Sequence, residues 1–122
     1  LSELFSLVEE LGYDFLRPTI DWSHYHARDN GFVKGKEEYV SALELIEQKA
    51  GKTALTTIHC HMQSVRFSEK GELAHLPLSA NSPPFKPLAI ALKEFGCDGT
   101  IISESPLIES DALEMQKIYS DN

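Results

Sequence analysis

Helix-spaced and strand-like apolar runs alternate along this chain, and that alternation restricts the fold more than any other feature. Leu1, Leu4, Phe5, Val8 and Leu11 recur at three- and four-residue steps before Gly12, the pattern of an amphipathic helix with a glycine stop. Residues 13–16 and 18–22 read as a short buried strand, with Pro18 tolerated near its start. The polar residues 23–30, closed by Gly31, read as a loop. A second helix is predicted from Lys36 to Lys49, with Tyr39, Val40, Leu43 and Ile46 on one face and Gly51 as its stop. Residues 53–58 form a β-branched run expected to be a strand.

Residues 59–83 have no sustained period, and a stretch of that length inside a compact domain points to function. A third helix is expected to begin near Ser82-Pro83-Pro84, with Ser82 as cap, and to pack Leu88, Ala91, Leu92 and Phe95 before Gly96. Residues 100–103 read as a strand, and a last helix from Ser110 directs Leu113, Met115, Ile118 and Tyr119 toward a core. The order is one helix followed by three βα units. It implies an α/β fold with a parallel sheet and outer helices, either an open doubly wound sheet or part of an eight-stranded barrel. Both architectures place their sites beyond the C-terminal ends of the strands.

Composition narrows the classes. With 122 residues and 42% hydrophobic content the chain suffices for one packed domain, and no internal boundary is expected within 1–122. Its 11 basic and 19 acidic side chains give a formal charge of -8, so any contact with nucleic acid must be local rather than a general attraction. The two cysteines, Cys60 and Cys97, have no CxxC spacing, which suits a reducing cytoplasm. No apolar run reaches the roughly 18 residues of a membrane helix, and no secretion pattern opens the chain. It begins at Leu1, already within a helical pattern, as expected of a fragment.

The predicted strand ends carry the chemistry. Asp21 and His24 lie at the first, His59 at the second and Glu104 at the third, and in a parallel barrel they would rise toward one mouth. A mixed imidazole and carboxylate set suits Zn²⁺ or Mn²⁺, and His75, on the aperiodic stretch, can fold over the same mouth. A single histidine beside a strand is usually an ordinary hydrogen-bonded residue, so the weight rests on the set. His26 and His61 are read as groups that orient a ligand or face solvent. Cys60 between His59 and His61 makes a poor nucleophile pair, because neighbours on a strand point to opposite faces. GxGxxG, Walker A and GxSxG motifs are absent, and Arg28, Arg66, Lys70 and Lys86 are scattered rather than grouped into a basic patch.

Four stretches in order, Arg17-Pro18-Thr19-Ile20-Asp21-Trp22-Ser23-His24 with Ala27-Arg28, His59-Cys60-His61, His75-Leu76-Pro77-Leu78 and Ile101-Ile102-Ser103-Glu104-Ser105-Pro106, resemble the C-terminal strands of the endonuclease IV-like family in its archaeal form. The likeness runs across nearly the whole chain. It implies the C-terminal part of a TIM barrel of the xylose isomerase-like kind, with a trinuclear zinc site that hydrolyses the phosphodiester on the 5′ side of abasic nucleotides in DNA. By the same likeness Asp21, His59 and Glu104 match ligands of one zinc and His24 and His75 those of a neighbour, while Glu104 stands near the attacking water as a base. Where the family has an aspartate two residues before the histidine matched by His75, this chain has Leu73, with Glu72 adjacent as a carboxylate to take its place.

The earlier strands of such a barrel, with its other ligands, lie outside this sequence, and three strands cannot close an eight-stranded barrel. Activity is therefore expected of the full-length barrel, and the chain is expected to self-associate or to pair with the missing N-terminal half. Two alternatives remain open. One is a metal-dependent sugar isomerase or epimerase on the same barrel type; the other is a non-catalytic assembly fragment.

Overall fold

Glycines and one capping aspartate decide where several elements of this chain begin or end. In the computed structural model, which describes residues 1–13 and 16–122, helix α1 covers Ser2–Leu11, buries Phe5 and Val8, and stops at Gly12 as expected. Of the strand expected over residues 13–16, Asp14 and Phe15 lie outside the described residues. Strand β1 is short, Ile20–Asp21, because Asp21 starts helix α2 (Trp22–Arg28) as its N-cap. Its Oδ1 accepts from the backbone N–H groups of Ser23 and His24, each at 3.0 Å. The stretch expected as a loop is thus helical as far as Arg28.

Helix α3 (Lys36–Ala50) buries Tyr39, Ala42, Leu43 and Ile46. Gly51, at φ 81°, breaks it, and a short helix α4 (Lys52–Thr56) follows where a strand was expected. Two local effects overrule the β-branched composition. The Thr56 and Thr57 hydroxyls donate to the Thr53 carbonyl at 3.1 and 2.8 Å, and Ala54 and Leu55 turn into the core.

Strand β2 is therefore displaced to Ile58–Met62. It pairs in parallel with β1 on one side and with β5 (Gly99–Ser103) on the other, so the sheet order is β1-β2-β5. The register sets Asp21, His61 and Ile102 side by side. Gly99 is required where β5 begins, since its φ is 145° and a Cβ there would lie 1.9 Å from the Ile58 carbonyl oxygen.

The segment expected to be irregular is mostly ordered. After β2 comes an antiparallel hairpin, β3 (Ser64–Ser68) and β4 (Gly71–Leu76), with a register shift between Arg66 and Phe67. A short 3-10 turn, Leu78–Ala80, follows. The hairpin packs against α2 and is half-exposed along β4, which is why its sequence lacks clean alternation. Helix α5 (Phe85–Glu94) begins after the prolines rather than at Ser82. Ser82 instead donates its N–H to Ser64 Oγ at 3.1 Å and sets its hydroxyl 3.3 Å from His26 Nε2. Helix α6 (Glu109–Asp121) buries Met115, but Leu113, expected to face the core, is exposed.

The molecule is thus mixed α/β, with a three-stranded parallel sheet and a small antiparallel hairpin. The two faces of the parallel sheet differ. Ile58, Cys60 and Met62 are buried and join Leu43, Ile46, Leu55, Leu88 and Leu92 in one core, whereas His59, Thr100 and Ile102, on the other face, are exposed. Among the described residues, no helix is long and apolar enough to cross a membrane.

Candidate metal centre

The exposed face of the sheet ends in a group of carboxylates and imidazoles. Asp21 is anchored at Oδ1, which caps α2, and its Oδ2 faces two imidazoles. That oxygen lies 2.8 Å from His24 Nδ1 and 4.0 Å from His61 Nδ1. His61 Nδ1 is in turn 3.2 Å from Glu104 Oε1, just beyond the end of β5. Asp21, His61 and Glu104 each offer one ligand atom, and all three atoms fall within 4.8 Å of one another. Two donors about 2.1 Å from a tetrahedral Zn²⁺ stand about 3.4 Å apart, so separations of 3.2 and 4.0 Å suit a shared cation.

The remaining expected residues adjoin this triad through Glu72. His24 Nε2 is 3.3 Å from Glu72 Oε2, and His75 Nε2 is 2.7 Å from Glu72 Oε1. His75 Nδ1 donates to the backbone carbonyl of Glu104 at 2.8 Å, a contact that orients the ring and leaves Nε2 directed at Glu72 and, at 3.5 Å, the Gln63 amide nitrogen. Glu72 Oε2 is buried and makes no hydrogen bond despite its nearness to His24. A buried carboxylate oxygen without a donor is costly, and this one adds to the uncompensated negative charge beside the triad. Among the described residues, Asp21, His61 and Glu104 are the group whose ligand atoms converge closely enough for a cation, with His24, Glu72 and His75 linked beside them.

His24 is pushed above the ordinary histidine value, first by its hydrogen bond to Asp21 and further by the charges of Asp21, Glu72 and Glu104, against the opposing effect of burial. Surplus negative charge on this end of the sheet is what a cation would neutralise. Cys60 takes no part: burial pushes its thiol up to about 12, which removes it as a nucleophile.

Of the residues expected from sequence, Asp21, His24, His75 and Glu104 gather at this end of the sheet, and His59 does not join the triad. It is the second residue of β2, paired with Thr100 and exposed, one pleat below the site with its ring 5.8 Å from that of His61. The displacement of β2 explains the exchange. A strand over residues 53–58 would end at His59, whereas the strand Ile58–Met62 ends near His61 and leaves both histidines on one face by their two-residue spacing. His61 thus occupies the position expected of His59. Leu73 is exposed and contributes no donor, and Glu72 stands between the two imidazoles in its place. His26, expected to orient a ligand or face solvent, does neither: it is buried and accepts the Val33 N–H at Nδ1, 3.1 Å away.

No family model matches the chain, and no solved structure matches it. It is 34% identical over 121 residues to an uncharacterized protein of Methanocaldococcus jannaschii, a match that covers 99% of this chain and 43% of that protein. The chain thus spans less than half the length of this relative.

Proposed function

We propose that this chain is the C-terminal portion of an endonuclease IV-like barrel and that the full-length barrel hydrolyses DNA phosphodiesters at abasic sites. The observation that carries the reading is the Asp21, His61 and Glu104 triad at the C-terminal ends of three neighbouring parallel strands. The bare sheet face supports the barrel part, because parallel sheets are ordinarily covered on both sides and here β1 and β5 are both edge strands. The remaining strands, or failing them a second copy of the chain, would cover that face and those edges. The relative, more than twice as long as the matched region, accords with a larger whole.

Histidines as numerous as the carboxylates favour Zn²⁺, with Mn²⁺ second, over purely oxygen-loving ions. A cation held there supplies Lewis acidity toward a phosphate oxygen and makes a nearby water acidic enough to attack at neutral pH. Asp21 and His61 would hold it, with Asp21 fixed by its capping role. Glu104 is partly exposed, so one carboxylate oxygen can meet solvent and take a proton from water while the other faces His61. By the family likeness His24 and His75 would serve a neighbouring cation, with Glu72 between them as its carboxylate. Local positive charge of this kind reconciles a polyanionic substrate with a net charge of -8.

The test is cleavage of a duplex carrying one abasic-site analogue by the full-length protein loaded with Zn²⁺ or Mn²⁺. Incision at the analogue that chelation abolishes is the expected result. A metal-loaded protein that leaves the duplex intact overturns the nuclease reading, and turnover of a ketose or aldose by that protein would establish an isomerase instead. Absence of any metal uptake would leave an assembly role.

A further inference from the structure

Two fully buried polar residues join the strands that carry the triad, and neither is itself a candidate ligand. Ser23, in the first turn of α2, donates its hydroxyl to the Gln63 backbone carbonyl and accepts the Gln63 N–H at 3.0 Å. Gln63 is the residue after β2, and its own side chain is also fully buried. Ser23 stands two residues after Asp21, and Gln63 two residues after His61.

Strand β1 ends at Asp21, where α2 begins, so the backbone ladder between β1 and β2 stops at the level of the triad. Beyond that level the buried N–H and C=O of Gln63 need partners, and the Ser23 hydroxyl supplies both. It therefore takes the place of one more rung of the sheet. Asp21 and His61 hang immediately below this rung, with their facing atoms 4.0 Å apart. That is too far for a hydrogen bond between them, and the two groups do not hold each other.

We infer that Ser23 is a positioning residue, whose paired hydrogen bonds to the Gln63 backbone hold Asp21 and His61 at the spacing of a shared cation. The inference rests on the cation reading of the triad given above. Ligand geometry in metal sites depends on the groups behind the ligands, and loss of such support typically weakens metal binding by roughly 10–100-fold.

Co²⁺ titration of this chain, followed by visible absorption and calorimetry, tests it. Ser23→Ala should bind Co²⁺ roughly 10–100-fold more weakly, with an altered visible spectrum. A Leu92 truncation on α5, chosen to match the Tm of Ser23→Ala, should retain wild-type affinity and spectrum; an equal loss there makes the effect general destabilisation and overturns the inference. If Ser23→Ala does not fold, the Ser23→Thr and Ser23→Val pair differs only in the hydroxyl, and equal affinities in the two overturn it. Wild-type binding that His61→Ala abolishes and Ser23→Ala leaves unchanged removes the positioning role while the cation site stands. No Co²⁺ uptake by the wild type removes both.

Discussion

Replacing His61 with alanine should abolish cation binding at the triad, while His59→Ala should leave it nearly intact. His61 Nδ1 sits 3.2 Å from Glu104 Oε1 and 4.0 Å from Asp21 Oδ2, so it supplies the imidazole donor between two carboxylates. Without it, two negative groups face each other and the donor count falls by one. Removal of a group that merely orients a ligand already costs roughly 10–100-fold in affinity, so loss of the ligand itself should cost at least about 100-fold. That corresponds to about 2.7 kcal/mol. His59 cannot substitute, because two residues along a strand span about 6.6 Å, and β2 would have to slide by a full pleat against both neighbours. The assay is Co²⁺ titration of the two single variants beside wild type, with circular dichroism to show that each is folded. Equal losses in both, or a larger loss in His59→Ala, would refute the assignment and restore His59 as the ligand of β2.

Stability should respond to three further perturbations. His26 is held below the ordinary histidine value by burial first and by Lys34 second, so the folded state keeps it neutral and the unfolded chain takes up the proton first. Its contribution is therefore fully present above the unfolded value near 6.5 and is lost as pH falls toward its lower folded value. Urea midpoints against pH should drop less steeply on acidification in His26→Asn than in wild type, and parallel profiles would count against this. Gly99→Ala should destabilise the fold by about 2–5 kcal/mol, combining the positive-φ penalty with overlap against the Ile58 carbonyl, as read by urea unfolding. Asp111→Ala should cost roughly 1–3 kcal/mol, because the carboxylate accepts the buried Leu78 N–H at 2.7 Å and tethers α6 to the 3-10 turn. Asp111→Asn keeps an acceptor and should lose clearly less in the same measurement.

The helices were legible in the sequence wherever an apolar stripe met a glycine. The runs ending at Gly12 and Gly51 delimit α1 and α3 closely, since a 3.6-residue period sustained over ten or more positions has few other readings. Short elements were not. Trp22 looked like strand and starts a helix, because the Asp21 carboxylate caps it. Residues 53–56 looked like strand and form a helical turn, because threonine hydroxyls bond back to the chain and Ala54 and Leu55 have a core to enter. In both places a side-chain contact outweighed a β propensity of a few tenths of a kcal/mol per residue.

Residue chemistry placed Asp21, His24 and Glu104 at one end of a parallel sheet from the sequence alone, since carboxylates and imidazoles that follow apolar runs in βα units fall at the strand ends, while His75 is legible only as a residue of the aperiodic stretch able to fold over them. The choice of His61 over His59 was left to the tertiary structure. Both share a face by period two, and only the pairing of β2 with β1 and β5 determines which of them lies level with Asp21. The same holds for the approach of His24 to Glu72 and for the Ser23 hydroxyl on Gln63, contacts 40 or more residues apart in sequence, whereas Glu72 and His75 lie three apart on β4. A periodic pattern specifies which face a side chain takes. Register, set by hydrogen bonds to distant strands, specifies what that side chain meets.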